Sequence, residues 1–345
     1  GIYYESRFWS GMPDLNLDND YVRDEITNIC HFWIDKGVKG FRLDAVTSYY
    51  TGSISKNIDF LTWLNSMVKD YKSDAYIVGE GPWDNVPANI QTYYNSGVDS
   101  FFNFTVAQAT GHMVGAVNNQ TGRAFADFIS EYNADLRAIN PLAIDAPFLS
   151  NHDLGRSAGY FAGIDADYKR KLAASAYLLM PGKPFIYYGE EISLRGSGND
   201  QSKRLPMIWS STDTTGACNP PVGYDYNLAN QVTQGVDDLL LIPDSMTNHY
   251  RKVLSLRNYY NDYIASGAVA SVTLNDALFA LQYTREDNSQ ILVVTNFSNE
   301  PVTADLPNQM TILDQIKTLG IAGSVTNTGG VYSLTVAGYS TLILQ

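Results

Sequence analysis

The sequence predicts an α/β barrel followed by a small antiparallel β domain. Three observations carry this expectation. Short apolar runs alternate with helix-length amphipathic runs from Asp20 to Tyr263, the pattern of a parallel sheet covered by helices. The apolar runs repeatedly end in polar residues, which is where α/β barrels place their chemistry. From about Ser266 the helical period gives way to short strands separated by turn residues. At about 150 residues per domain, 345 residues predict two domains, divided as 1–265 and 266–345.

Each element has its own signal. Val22, Ile26, Ile29, Cys30, Trp33 and Ile34 recur at helical spacing from Asp20 to about Lys36, and Gly37 stops that helix. Val38 to Asp44 is a short apolar run ending in charge. Phe60 to Tyr71 reads as a helix, and Ala75 to Val78 as a buried strand closed by Gly79-Glu80. Ser100 to Phe104 is the next strand, followed by a helix near Ala124 to Arg137. Ala146 to Ser150 is a strand running into Asn151-His152-Asp153. Tyr168 to Met180 is helical, Pro184 to Tyr188 is a strand ending in Gly189-Glu190-Glu191, and Thr247 to Tyr263 is the last amphipathic helix. A closed eight-stranded barrel needs about three strands more than the five units seen, so an N-terminally incomplete barrel is expected, with an upstream segment completing it. The stretch from Leu194 to Asp244 is rich in Gly, Ser, Asn and Pro; a loop of that length is more often functional than idle. In the second domain, strands are expected at 278–283, 291–294, 332–336 and 341–344. Glu286-Asp287-Asn288-Ser289 and Thr328-Gly329-Gly330 supply the turns of a β-sandwich.

Composition narrows the function. A hydrophobic fraction of 45% supports a sizeable core and excludes a disordered tail. No run approaches the roughly 20 apolar residues of a membrane-spanning helix. A net charge of −13 repels phosphate backbones and argues against nucleic-acid binding. Cys30 and Cys218 build neither a disulfide framework nor a metal cluster, and Cys30 is expected to be a buried hydrophobe. Gly1-Ile2-Tyr3-Tyr4 lacks the basic and apolar regions of a signal peptide. The 24 tyrosines suit either a ring-shaped neutral ligand or an aromatic core.

Three acidic residues, Asp44, Glu80 and Asp153, each close an apolar strand. Clustered like charges cost stability and drive pKa values apart. Glycoside hydrolysis uses that division, with one carboxylate as nucleophile and another held protonated as general acid. Arg42 lies two residues before Asp44, so both point to one face of a strand. The pair reads either as a structural ion pair or as a cation holding a nucleophile ionised. Four histidines build no obvious zinc site. There is no Gly-x-Ser-x-Gly, Walker or dinucleotide fingerprint; Gly196-Ser197-Gly198 lacks the third glycine and lies in the long loop.

The motifs then become specific. Gly40-Phe41-Arg42-Leu43-Asp44-Ala45-Val46, Ile77-Val78-Gly79-Glu80 and Phe148-Leu149-Ser150-Asn151-His152-Asp153 resemble, in order, three short motifs of the α-amylase family of glycoside hydrolases. Met12-Pro13-Asp14-Leu15-Asn16 resembles a fourth, and Pro184 to Glu191 resembles the eighth barrel strand. The segment holding Asp200, Arg204 and Leu205-Pro206-Met207-Ile208-Trp209 is similar to the sugar-clasping stretch after it. The resemblance spans nearly the whole chain and implies strands 4 to 8 of a (β/α)8 TIM barrel. It implies Asp44 as nucleophile, Glu80 as general acid/base and Asp153 as the carboxylate gripping sugar hydroxyls. Arg42 matches the nucleophile's partner and His152 a donor to the same sugar. Asp200 and Arg204 match contacts to sugars on the non-reducing side. Asp14 matches a calcium-ligand position, so calcium is implied by the resemblance alone.

The chain departs from the family in three places. The family's first motif is absent. Thr47-Ser48 stands where many amylases have Lys-His, and Trp83 follows Glu80 one residue later than in many relatives. Ala45 after the nucleophile resembles members acting on α-1,4 bonds. The expected activity is retaining hydrolysis of α-1,4-glucosidic bonds in starch or malto-oligosaccharides. The alternatives are an exo-acting α-glucosidase or glucanotransferase, and a non-catalytic carbohydrate-binding relative, which typically loses one of the three carboxylates retained here. The polymeric substrate and acidic composition imply an extracellular or cell-surface location.

Overall fold

The computed structural model describes residues 3–213, 218–219, 222–223, 231–265, 267–316 and 322–345. Ser266, where the sequence pattern changes, lies outside them, as does part of the 194–244 stretch. The chain divides into two compact units, residues 1–104 with 134–146, and residues 105–133 with 147–345.

The first unit is built from strand–helix repeats. Helix α1 (Asp20–Asp35) is capped by the Asn19 side chain, which accepts from the Tyr21 N–H. It ends at Gly37, whose φ of 96° is a conformation that glycine adopts without cost. Strand β1 (Gly40–Leu43), helix α2 (Ile54–Tyr71), strand β2 (Tyr76–Gly79), helix α3 (Pro87–Gln91) and strand β3 (Ser100–Phe101) follow. The strands form a parallel sheet in the order β1-β2-β3, extended by a parallel bridge between Phe102 and Ala146. Phe60, Leu61, Leu64 and Val68 form the buried face of α2, and α1 packs against that helix. Cys30 is buried, as its place in the helical stripe predicts, whereas Ile29 and Trp33 from the same stripe are about half exposed.

The second unit holds helices α4 (His112–Asn119), α5 (Gly122–Ile139, whose last turns run into the first unit), α6 (Ala166–Leu178), α7 (Asp200–Lys203), α8 (Val236–Leu240), α9 (Met246–Tyr259) and α10 (Asn261–Ile264). Among the described residues eight antiparallel strands follow: β4 (Ala268–Ser271), β5 (Leu278–Thr284), β6 (Gln290–Asn296), β7 (Val302–Asp305), β8 (Ile312–Ile316), β9 (Gly323–Thr328), β10 (Val331–Val336) and β11 (Thr341–Leu344). They make a five-stranded sheet, β4-β5-β6-β11-β8, and a three-stranded sheet, β7-β10-β9. Side chains alternate faces along a strand, and the buried residues follow that rule. Leu278, Ala280, Leu292, Val294, Leu342 and Leu344 share a core with Leu334 and Val336 of the smaller sheet. Phe279, Leu281, Tyr283, Ile291, Val293 and Ile343 pack with residues of α4, α5, α6 and α9. The central strands β5, β6 and β11 of the larger sheet are therefore buried on both faces.

The structure differs from the sequence reading where proline intervenes. The strands expected over 146–150 and 184–188 reduce to isolated bridges, Phe102 with Ala146 and Phe148 with Phe185. Pro147 and Pro184 have no N–H to continue a ladder. The strand expected to run to Phe104 stops at Phe101, because the Phe104 N–H turns back to the Phe102 carbonyl at 3.0 Å. The last helix divides into α9 and α10, ending at Ile264. The turn at 286–289 is present, with Asn288 at φ 63°, and so is the turn at Gly329-Gly330.

Candidate active site

Parallel pairing brings the first two carboxylates together. Leu43 of β1 pairs with Gly79 of β2, and the ladder runs one step further through the Glu80 N–H to the Leu43 carbonyl at 2.8 Å. The residue after each strand thus sits beside its counterpart, Asp44 beside Glu80. Two glycines allow this close packing. A Cβ on Gly40 would lie 1.8 Å from the Tyr76 carbonyl oxygen, and one on Gly79 would lie 2.5 Å from the Phe101 ring.

Arg42 points to the face that Asp44 shares, as strand alternation requires. Its Nη1 bonds Asp44 Oδ1 and its Nη2 lies 3.1 Å from Glu80 Oε1. One guanidinium therefore grips both carboxylates, a charge-assisted arrangement suited to its planar fork. Glu80 receives two further donors: the Ala45 N–H at 3.0 Å on Oε2 and the Trp83 Nε1–H at 3.2 Å on Oε1. Ala45 has φ 42°, an uncommon conformation for a residue with a side chain. Trp83 is stacked on Phe104, 5.1 Å between centroids. Glu80 is 4% exposed, whereas the Asp44 side chain is 75% exposed. Among the described residues Asp44 Oδ2 accepts no hydrogen bond, so it faces solvent unengaged. Neither Trp83 nor the Ala45 amide stands out in the sequence as a partner of Glu80, since both depend on how the chain turns after each strand.

Asp14 and Asp44 line one cavity of about 420 Å³, with Tyr49 and Phe60 in its wall. Burial, then the Asp44 charge, pushes the Tyr49 hydroxyl up, which keeps it protonated. Asp14 Oδ2 accepts the Arg7 N–H at 2.7 Å. The described residues contain no group of three or more His, Cys, Asp or Glu able to hold a metal ion. Asp14 belongs to no such group among the described residues.

In the second unit, His152, Asp153, Asp200 and Arg204 form one network. The Asn151 side chain accepts the Asp153 and Leu154 N–H groups at 2.9 and 3.0 Å, fixing the turn that presents His152 and Asp153. Arg204 Nη2 lies 2.7 Å from Asp153 Oδ1 and 3.4 Å from Asp200 Oδ2, and its Nε donates to the His152 carbonyl at 3.0 Å. His152 Nε2 lies 3.0 Å from Asp153 Oδ2. Asp200 opens α7, which the Asn199 side chain caps. Arg204 lies 51 positions after Asp153 and four after Asp200, and its guanidinium joins the two.

Two buried carboxyls, Glu190 and Asp145, have no role in the sequence reading. Glu190 accepts from Ser150 Oγ at 2.7 Å, the Tyr177 hydroxyl at 3.1 Å and the Tyr250 hydroxyl at 3.3 Å. Burial pushes it up to about 7 against the opposing pull of these hydroxyls. Asp145, held by the Asn103 amide and the Ala146 N–H, is likewise pushed up by burial to about 7.

Residues 1–267 match the family model described as alpha amylase, catalytic domain. Alpha-amylase 3 of Dictyoglomus thermophilum is 37% identical over 311 residues, covering 89% of this chain and 60% of that protein. An oligo-1,6-glucosidase of Parageobacillus thermoglucosidasius is 26% identical over an alignment of 385 positions, covering 90% of this chain and 66% of that protein. The solved structure of Amy13B from Eubacterium rectale is 36% identical with a TM-score of 0.88, covering 99% of this chain and 66% of that one. The chain thus spans between 60% and 66% of the length of these relatives.

Proposed function

The chain belongs to the alpha-amylase family of glycoside hydrolases, with that family's TIM-barrel fold and C-terminal antiparallel β domain, and from this premise we propose that it cleaves α-1,4-glucosidic bonds of starch or malto-oligosaccharides with retention of configuration. The observation that carries the reading is the pair of strand-end carboxylates, Asp44 and Glu80, gripped by one guanidinium. Retaining hydrolysis needs two carboxyls about 5–5.5 Å apart, one to attack the anomeric carbon and one to protonate the departing oxygen.

Asp44 suits the attack. Arg42 pins one of its oxygens, and the other is open to solvent. Glu80 suits proton transfer: it is enclosed and oriented by Arg42, Ala45 and Trp83. In the first step Asp44 forms a bond to the anomeric carbon as the glycosidic bond breaks, and Glu80 gives its proton to the leaving oxygen. In the second step Glu80 takes a proton from water, which displaces Asp44 and releases the sugar as the same anomer. Asp153 accepts hydrogen bonds from sugar hydroxyls, with His152 donating to the same ring, and Arg204 and Asp200 contact sugars toward the non-reducing end. A polymeric substrate places the enzyme outside the cell or on its surface.

Product analysis on maltoheptaose, with the anomer followed by NMR, tests the reading. Internal cleavage to mixed α-configured products is expected. Release of glucose alone shows an exo-acting glucosidase, and longer products than the substrate show a transferase. Glu80→Gln should lower turnover on starch by about 10³-fold or more with KM little changed, because an amide cannot protonate the departing oxygen. Near-normal starch cleavage by this variant would remove Glu80 from the mechanism.

A further inference from the structure

Glu190 has no part in the mechanism above, yet the chain on both sides of the His152–Asp153 turn is fastened to its segment. The chain enters the turn through Phe148, which bridges Phe185, with the Phe185 N–H on the Pro147 carbonyl at 2.9 Å. Ser150 then donates from its hydroxyl to Glu190 Oε1 at 2.7 Å, and both residues are buried. The chain leaves through Arg156, whose Nη1 donates to the carbonyl of Tyr188 at 2.6 Å. Asn151 to Gly155 span these two fastenings. Within the span the His152 and Asp153 side chains are 44% and 26% exposed, and they contact each other and the equally exposed Arg204. Side chains so open gain little definition from packing, so their placement depends on where the backbone beneath them is held.

The place of Glu190 is itself fixed from several directions. Its Oε2 accepts the Tyr177 hydroxyl of α6 at 3.1 Å and the Tyr250 hydroxyl of α9 at 3.3 Å. Both tyrosines belong to the core that α6 and α9 build. One carboxylate thus connects two core helices to Ser150. Its backbone lies in a single helical turn, Glu190–Ile192, between Gly189 at φ 89° and Ser193 at φ 58°. A Cβ on Gly189 would stand 2.9 Å from Arg156 Nη1, so the glycine lets the second fastening pass close by. The Thr247 hydroxyl of α9 donates to the Glu191 carbonyl at 2.8 Å and ties the same turn to that helix. An apolar side chain at position 190 would fill the space without the penalty of burying a carboxyl. It could not hold the Ser150 hydroxyl.

We propose that Glu190 is a positioning residue for His152 and Asp153, acting through Ser150 by tying the start of their turn to α6 and α9. The inference rests on the proposed contacts of Asp153 and His152 with a sugar ring and deepens that reading. Glu190 itself touches no substrate.

The test is a double-mutant cycle read on maltoheptaose. Ser150→Ala removes the tie and should lower kcat/KM about tenfold, the size of one hydrogen bond to a charged group. Glu190→Leu should lose at least as much. Glu190→Gln should retain most of the turnover, because its amide oxygen can still accept the Ser150 hydroxyl. In an Asp153→Asn background the effect of Ser150→Ala should shrink to less than about twofold, since the tie acts through that carboxylate. Where Asp153→Asn turns over too slowly, the dissociation constant of maltoheptaose, measured by calorimetry, closes the same cycle. Should Glu190→Leu fail to fold, Ser150→Ala and its cycle decide alone. An equal loss in both backgrounds is the mark of general loosening and overturns the assignment, as does an unchanged kcat/KM in Ser150→Ala. An unaltered protein that leaves maltoheptaose intact overturns the hydrolase reading on which the assignment stands.

Discussion

Replacing Glu190 by glutamine should flatten the dependence of stability on pH. Glu190 is 4% exposed and receives hydrogen bonds from Ser150, Tyr177 and Tyr250, with no cation within ion-pair reach among the described residues. Burial raises it from 4.5 to about 7. A carboxyl with a raised folded-state pKa binds its proton more tightly in the folded protein than in the unfolded chain. Its contribution to stability is therefore complete below about pH 4.5 and is lost as pH rises through about 7. The difference of about 2.5 pH units, at about 1.4 kcal/mol each, amounts to about 3.5 kcal/mol. With about 2.1 cal/mol/K of unfolding entropy per residue, that corresponds to about 5 °C for a chain of 345 residues. Melting curves of the protein and of Glu190→Gln between pH 4 and pH 8 isolate the effect, since every other titrating group is common to both. Relative to the variant, the unaltered protein should lose about 5 °C across that interval. Parallel curves would refute the argument that the carboxyl is neutral at low pH and forced to ionise at high pH.

Two further outcomes follow from the first unit. Asp44→Asn should abolish nearly all turnover because an amide is a poor nucleophile, and a fluorinated glycosyl inactivator should label Asp44 in the intact enzyme; mass spectrometry finding the label on another carboxylate would overturn the assignment. Gly79→Ala should cost about 1–3 kcal/mol by overpacking, since its Cβ would stand 2.5 Å from the buried Phe101 ring and 3.2 Å from Val46; urea titration showing an unchanged midpoint would mean that the ring yields freely.

Much of this arrangement is legible in the sequence, and the physical reasons for the remainder are specific. Helical period and a glycine stop give α1, and strand alternation puts Arg42 and Asp44 on one face. Pro147 and Pro184 lie within apolar runs that otherwise read as strands, and the missing N–H groups reduce those strands to single bridges. The strands β4, β7, β8 and β9 are short or largely exposed, so no apolar alternation announces them. Helix α4 contains Gly115 and ends in Asn118-Asn119, which read as loop, although Met113, Val114 and Val117 are buried. Local sequence also fails where a partner comes from another segment. Nothing near Asp44 shows that its guanidinium also holds Glu80, because the parallel register that joins them closes across α2. The hydroxyl cage of Glu190 draws on a segment before α6, on α6 itself and on α9.

Among the described residues three carboxyls are buried, Glu80, Asp145 and Glu190, and they differ in the donors they receive. Burial penalises the ionised form, so each must be compensated. Asp145 has the Asn103 amide and the Ala146 N–H; Glu190 has neutral hydroxyls. Only Glu80 has a full positive charge, and it shares that charge with Asp44. Neutral donors can serve a carboxyl that fills a fixed place in the core, because an amide of the same shape offers them a comparable partner. A shared guanidinium couples two acids, so neutralising one changes what the other experiences. Amide substitution should therefore act differently at the three positions. At Asp145 and Glu190 it alters how stability varies with pH, and at Glu80 it alters turnover while the fold remains.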